Sequence, residues 1–259
     1  MINCSACILT FNSEKTVGRC LESVKDFDDI VILDGGSSDR TLEIAKKYNA
    51  RVYPQSSGGA GAISDFTEVR ERLFSLAKNE WRLWLDSDER LDETAVIEIE
   101  RIIKNNQKGV LYSFLRKIII EDKIIEYAYF YPEYCRRLFN VRDNIGLKKG
   151  KKVHEDLSAQ NGVSENKLKG VIYHNWSASF RDLAEKDARY LALSVEGKKN
   201  FPFAKKARIA EVNLLKGLKV FLLSAQIYAA RGFKKSLPLK YSWRFIRYHF
   251  LYAKKILFS

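Results

Sequence analysis

The stretch "EWRLWLDSDERL", Glu80 to Leu91, decides how the rest of the chain is read. Large apolar residues from Trp81 to Leu85 end abruptly in Asp86, Ser87, Asp88 and Glu89. A continuous apolar run of this length implies a strand covered on both faces. Acids packed so closely repel one another unless water or a positive charge lies between them. If extended geometry continues to residue 88, Asp86 and Asp88 project to the same side. There they could share a divalent cation whose shell is completed by waters and phosphate oxygens. That charge would also stabilise a departing diphosphate. A solvated acidic turn is the plainer alternative for Asp-x-Asp taken alone, but its place directly after "WRLWL" favours the cation.

The segments before it alternate. "CSACILTF" (4–11), "DIVILD" (29–34), "RVYPQ" (51–55) and "WRLWLD" (81–86) read as strands. Between them lie helical patterns: Val17, Cys20, Leu21 and Val24, capped by Asn12 or Ser13; Leu42, Ile44 and Ala45, capped by Ser38 or Asp39; and "FTEVRERLFSLAKNE". "TAVIEIERIIKNN" (94–106) is a further helix. Strand–helix alternation predicts an α/β fold with a mostly parallel sheet and helices on both faces. After residue 109 the pattern is mixed. "GVLYSFLRKIII" and "KIIEYAYFY" read as extended, and "YCRRLFN", "VHEDL" and "GVIYHNW" as strand or loop. From Phe180 onward it is helical.

In an open α/β sheet, ligands bind beyond the carboxyl ends of the strands. Three polar clusters fall there: Thr10-Phe11-Asn12, Asp34 to Asp39, and Asp86 to Glu89. In "LDGGSSDRT", Gly35 and Gly36 permit a tight turn, and Asp34 could accept hydrogen bonds from a base or ribose. An ordinary turn with a helix cap at Ser38 or Asp39 is compatible with that role.

At 259 residues the chain suits one large domain, or one domain with an appendage. Only 4 Pro and 14 Gly leave no sign of disorder. The net charge of +13 is unevenly placed: residues 1–180 carry 27 basic and 27 acidic side chains, residues 181–259 carry 18 and 5. Such an asymmetry points to an anionic partner or to a solvated basic face. Cys4 and Cys7 are spaced as C-x-x-C, but on a strand they face opposite sides, so buried thiols in a reducing compartment are expected rather than a metal or redox pair. "MINCSACILTF" lacks a basic leader and enters a strand directly. "VFLLSAQIYAA" (220–230) is too short to span a bilayer.

"CILTFNSEKTVGRCLESV", "DDIVILDGGSSDRTLEIAKKY" and "WRLWLDSDERL", in this order, closely resemble the family 2 glycosyltransferases, inverting nucleotide-sugar enzymes of GT-A fold. "YCRRLFN", "KKVHEDL" and "YHNWSASFRDLAEKDARY" are similar to the branch that includes lipopolysaccharide-core β-glucosyltransferases. The likeness covers roughly residues 2–190, and the basic tail matches only loosely.

The resemblance implies a catalytic domain over 1–180, with a nucleotide-sugar half to about 108 and an acceptor half from 109, followed by a basic helical region, 181–259. UDP or a similar diphosphate would lie across the strand ends, with Thr10, Asn12, Glu14 and Asp34 around the nucleoside and Arg70 facing the diphosphate or base. Asp86 and Asp88 match the metal-and-ribose motif for Mn²⁺ or Mg²⁺. Ser87 keeps the small middle residue where Ala is commoner, and Glu89 would hold a loop or contact the sugar. His174 would add a contact to metal or diphosphate. Inversion needs a base for the acceptor hydroxyl. The branch pattern Val-His-Glu favours Glu155, the wider family's Glu-Asp pair favours Asp156, and Glu155 is preferred; His154 has only its adjacency to Glu155. From its residue type alone, Arg136 or Arg137 could hold an acceptor phosphate or carboxylate through its planar fork, or else form a surface pair.

In the tail, Trp243, Phe245, Ile246, Tyr248, Phe250, Leu251 and Tyr252 mix with Lys240, Arg244, Arg247, Lys254 and Lys255. Basic aromatic helices of this kind lie in the headgroup region of anionic membranes; packing on the core with a basic outer face is the competing arrangement. Together with the tail, the resemblance implies a hexose transferase acting on a lipid-linked or lipopolysaccharide acceptor at the inner face of the cytoplasmic membrane. Two other classes are weaker. A sugar-phosphate nucleotidyltransferase wants a Gly-rich basic phosphate loop after the first strand, which "TFNSEKTVGR" is not. A nucleic-acid binder would find stacking aromatics in the tail, but no reader module accompanies them, and nucleic acid is not an expected partner.

Overall fold

A computed structural model of the chain describes residues 1–55, 66–143, 145–147, 156–159, 162–176 and 180–259. They form two compact units, Met1–Ile119 with Pro132–Trp176, and Ile120–Tyr131 with Ser177–Ser259.

The first unit begins with β1 (Ile2–Thr10), α1 (Val17–Glu22), β2 (Phe27–Asp34), α2 (Thr41–Lys47), β3 (Arg51–Pro54), α3 (Phe66–Ser75) and β4 (Trp81–Asp86). After it come β5 (Glu89–Leu91), α4 (Glu93–Asn105) and β6 (Val110–Ile120). The short β7 (Lys123–Ile124) lies in the second unit and is the only strand in the segment "KIIEYAYFY", expected to be extended throughout. β8 (Glu133–Asn140), β9 (Ile145–Leu147), β10 (Leu157–Ala159) and β11 (Ser164–Asn175) complete the first unit.

Among the described residues the sheet runs β3-β2-β1-β4-β8-β6-β11-β5. β3, β2, β1 and β4 are mutually parallel, as are β6 and β11, while β8 and β5 run antiparallel to their neighbours. β1 is central because both its faces are apolar. Cys4, Ala6 and Ile8 enter a core layer with Val17, Cys20 and Leu21 of α1 and Ala95 and Ile99 of α4. Cys7 and Leu9 enter the opposite layer with Leu73 and Phe74 of α3. Cys4 and Cys7 thus lie on opposite faces, both buried and free.

After β3 the chain crosses back to place β4 on the far side of β1, so strand order reverses there, the position at which such sheets bind ligands. In register, Thr10 lies beside Asp34, Leu9 beside Asp86, and Asp34 beside Pro54. Local chemistry at the helix starts differs in part from the expected caps. The Ser13 carbonyl, not a side chain, receives the amides of Thr16 and Val17 ahead of α1. Asp39, rather than Ser38, receives the Thr41 amide at 3.0 Å. Asp92 caps α4 through the Ala95 amide at 2.8 Å and also accepts the Val171 amide of β11 at 3.0 Å. That junction needs Gly170, since a Cβ there would lie 2.3 Å from Ala95 Cα.

The second unit is built on α5 (Phe180–Glu196), α6 (Phe203–Arg231) and α7 (Leu239–Leu257). Leu191 and Val195 of α5, Ala210 of α6, and Tyr252, Ala253 and Ile256 of α7 share one core. α7 turns much of its apolar side inward: Tyr241, Ile246 and Tyr252 are buried. Arg244 closes a two-pronged pair onto Asp187 at 2.5 and 2.7 Å. The core-packing arrangement therefore accounts for a good part of α7. Among the described residues no helix is long and apolar enough to cross a membrane.

Candidate active site at the strand ends

The carboxyl ends of β1, β2 and β4 bring the three polar clusters to one edge. Asp34 ends β2 with its carboxylate buried and fully engaged. Oδ1 accepts Thr10 Oγ1 at 2.7 Å and Ser37 Oγ at 2.6 Å, and Oδ2 accepts the amides of Gly36 at 2.9 Å and Ser37 at 2.7 Å. Four donors match the acceptor capacity of one carboxylate. Asp34, expected to bind base or ribose, here shapes its own turn, in which Gly36 has φ of 89°. Thr10 is spent on the same carboxylate. Asn12, at φ of 46°, donates its amide to Ser37 Oγ at 2.8 Å and accepts the Ser38 amide at 2.9 Å. Glu14 accepts the Arg40 amide at 3.2 Å. These residues lace the loops after β1 and β2 together. The exposed group they frame is Phe11, 60% accessible beside Gly35. The aromatic ring at a strand end was the available signal for it, and it offers a face on which a base can stack.

β4 stops at Asp86, and Ser87-Asp88 is a turn leading to β5. The extended geometry that would have aimed Asp86 and Asp88 to one side is therefore broken, and the two find different partners. Asp86 receives Arg70 Nη2 at 2.5 Å and Arg137 Nη2 at 3.1 Å. Burial opposes its charge, but the two guanidiniums outweigh burial and hold it far below the usual carboxylate range. Glu89, 1% exposed, accepts Arg137 Nη2 at 2.8 Å and the Asp86 amide at 3.1 Å, with Arg116 Nη1 at 3.5 Å. Arg116 in turn pairs with Glu133 at 2.5 Å. Both Arg70 and Arg137 lie over the Trp84 ring, at 4.2 and 4.5 Å from its centroid. Repulsion among the acids is thus relieved by arginines. Asp86, expected as a metal ligand, accepts from both Arg70 and Arg137. Arg70, expected to face the diphosphate, is buried against Asp86. Glu89 takes the Asp86 amide and Arg137, and so holds the turn.

Arg137, expected to bind acceptor, is 5% exposed and faces inward to this cluster. Its neighbour Arg136 points the other way, as alternation along β8 requires, and grips Asp156 at 2.7 Å and Glu165 at 2.7 and 3.0 Å. Asp156 is thereby held by a cation. Glu155 and His154 lie outside the described residues. Sequence reasoning missed Trp84, Arg116 and Ser13. Trp84 was detectable by its position two residues before Asp86, on the same side of β4. Ser13 meets Ser87 at 2.8 Å between their Oγ atoms and ties the β1 loop to the turn after β4.

Asp88 escapes the arginine cluster. Its Oδ2 lies 3.2 Å from His174 Nε2, brought there because β11 pairs with β5 so that His174 faces Glu89. Burial favours the neutral ring, but the bond to Asp88 and the charges of Asp88 and Glu89 prevail and raise the His174 pKa. Among the described residues no group of three or more acidic, His or Cys side chains is arranged to hold a metal ion. Asp88 and His174 are a pair: the carboxylate suits Mn²⁺ or Mg²⁺ and the neutral imidazole suits Mn²⁺, when phosphate oxygens supply further ligands. The adjoining cavity, lined by Thr16, Arg19, Asp88 and Tyr173 among others, measures 10 Å³ and holds at most one water.

A mostly parallel sheet with acids gathered at its reversal point, joined to a helical unit, is the plan of a GT-A transferase. Residues 5–168 match the family model "Glycosyl transferase family 2", and the chain belongs to that family. An uncharacterized glycosyltransferase of Rickettsia conorii is 30% identical over 141 residues, 53% of this chain and 48% of that protein. One of Rickettsia typhi is 26% identical over 257 residues, 94% of this chain and 84% of that protein. The chain thus spans about half of one curated relative and most of the other. Among solved structures, S. aureus TarS 1–349 in complex with UDP-GlcNAc aligns with a TM-score of 0.50 at 18% identity, over 98% of this chain and 91% of that one, a likeness of fold.

Proposed function

We propose that the chain transfers a hexose, with inversion, from a UDP-sugar to a membrane-linked glycan acceptor of the lipopolysaccharide-core kind. The observation that carries the donor half is the Asp88–His174 pair standing free beside an Asp86 already neutralised by arginines. The nucleoside would stack on Phe11 over the β1–β2 loops, and the diphosphate would reach toward Asp88. Asp88 and His174 would hold a divalent cation there, and it would supply positive charge to the leaving diphosphate. The arginine cluster sets the position of the turn that carries Asp88. Glu155, or Asp156 if Arg136 releases it, takes the proton of the acceptor hydroxyl while its oxygen attacks the anomeric carbon opposite the departing nucleotide. Residues 1–180 would carry this chemistry and residues 181–259 would meet an anionic membrane, with the enzyme working at the inner face of the cytoplasmic membrane. The UDP-GlcNAc bound by TarS supports a nucleotide-sugar donor. The test is release of UDP from a panel of UDP-sugars with Mn²⁺ or Mg²⁺. Wild type is expected to turn over one sugar, and Asp88→Asn and Glu155→Gln to lose that activity. Full activity in both variants overturns the reading.

A further inference from the structure

The second unit carries one large apolar surface that nothing described so far uses. On α6, Leu214, Leu215, Leu218, Phe221 and Leu222 are 41%, 58%, 48%, 53% and 57% exposed. Their spacing puts them on a single face of the helix. Exposed apolar side chains scattered singly need no explanation, but five in one ridge mark a contact site. Beside the ridge runs a second line at helical spacing: Lys205, Arg208, Lys216 and Lys219, all exposed. Among the described residues, Arg208, Lys216 and Lys219 have no acidic partner. Glu211 is exposed one turn before Leu215 and ends the ridge on its N-terminal side. From residue 212 to the C-terminus there are ten Lys and Arg and no acid. A second copy of so basic a surface would be repelled, whereas anionic phosphates would be attracted.

We infer that α6 is the membrane-contact element of this chain: its leucine–phenylalanine ridge enters the boundary between headgroups and acyl chains of an anionic bilayer, and the adjacent cations reach the lipid phosphates. The inference rests on the membrane-linked acceptor proposed above and moves the main contact from α7, which buries Tyr241, Ile246 and Tyr252 and leaves Trp243 and Phe250 exposed, to the continuous ridge of α6. Long cationic side chains suit this geometry, since their stems lie along apolar surface while their charges stay at the phosphate level.

The full chain is sedimented with vesicles of phosphatidylcholine alone and with phosphatidylglycerol at about 30 mol%. Wild type is expected to bind only the anionic vesicles, and less as salt rises. The triple variant Leu215→Ser/Leu218→Ser/Phe221→Ser is expected to lose binding by about tenfold or more, with its thermal midpoint retained because these side chains are exposed. Lys216→Glu/Lys219→Glu should weaken binding likewise, and Trp243→Ser, an exposed aromatic on the α5 side of α7, should not. The inference is overturned if the triple variant binds as wild type does, or if wild type binds no vesicle. It is also overturned if wild type is a dimer that the triple variant converts to monomer without any vesicle binding, because the ridge then covers a second copy. UDP binding with Mn²⁺, measured by calorimetry on the same proteins, separates the two claims. Absence of UDP binding in wild type sinks the donor reading and leaves the membrane contact standing.

Discussion

Arg137→Met tests whether arginines, rather than an ion, hold the acids after β4 in place. Arg137 is 5% exposed, and its Nη2 bridges Glu89 at 2.8 Å and Asp86 at 3.1 Å. Methionine preserves much of the volume over Trp84 but removes the charge. Asp86 keeps Arg70, so its loss is partial. Glu89, 1% exposed, keeps only the Asp86 amide and Arg116 at 3.5 Å. Stripping one partner from a buried ion pair costs about 3–5 kcal/mol, a large share of the roughly 5–15 kcal/mol that holds a domain together. Removing both charges is far less harmful, because no ion is stranded. Arg137→Met/Glu89→Met should lose only about 1–3 kcal/mol, the remainder being the orphaned Asp86 amide. The double variant is thus expected to be more stable than Arg137→Met, a coupling between contacting residues that independent sites do not show. Urea unfolding followed by tryptophan fluorescence measures both, with a shifted midpoint at constant slope as the signature of lost stability. A loss under about 1 kcal/mol for Arg137→Met, or a double variant no more stable than Arg137→Met, refutes the reasoning.

The other expectations concern separate parts of the first unit. Gly170→Ala would set a Cβ 2.3 Å from Ala95 Cα, a clash with backbone rather than with a yielding side chain; a loss of about 3 kcal/mol or more is expected, lowering the thermal midpoint by roughly 6–12 °C in a scan. Asp29 is 3% exposed, and although burial opposes its charge, the Lys78 amide, Ser5 and Arg51 hold its pKa below the usual carboxylate value of 3.8. Its contribution is therefore complete above pH about 4 and lost as pH falls through the depressed folded value. Asp29→Asn should cost about 2–4 kcal/mol at neutral pH and flatten the stability profile on the acid side, and an unchanged acid limb in urea titrations would count against this. Asp88→Asn should weaken UDP binding in the presence of Mn²⁺ by about tenfold or more while leaving the urea midpoint near wild type; equal UDP affinity in calorimetry removes Asp88 from the donor site.

What the chain discloses locally and what it withholds divide along a physical line. The parallel half of the sheet is legible because β1, β2 and β4 are nearly unbroken apolar runs ending in polar clusters, and the alternation with helices leaves few topologies. Asp34, Asp86 and Asp88 are legible as strand-end acids for the same reason. Their partners are not. Arg70 and Arg137 reach Asp86 from 16 positions before and 51 positions after it, and nothing in "YCRRLF" says which of two adjacent arginines faces inward until β8 is known to be a strand in a particular register. Once it is, alternation assigns them opposite tasks: Arg137 to the buried acids, Arg136 to Asp156 and Glu165. The tail follows the same rule. The aromatic residues of α7 and the leucines of α6 are equally visible as amphipathic patterns, but which pattern is consumed by the α5–α6–α7 core is decided by packing. Tyr252, Ala253 and Ile256 are buried and Leu215, Leu218 and Leu222 are not. Sequence periodicity identifies a face, and only the neighbour that fills it, or fails to, says whether that face is core or contact surface.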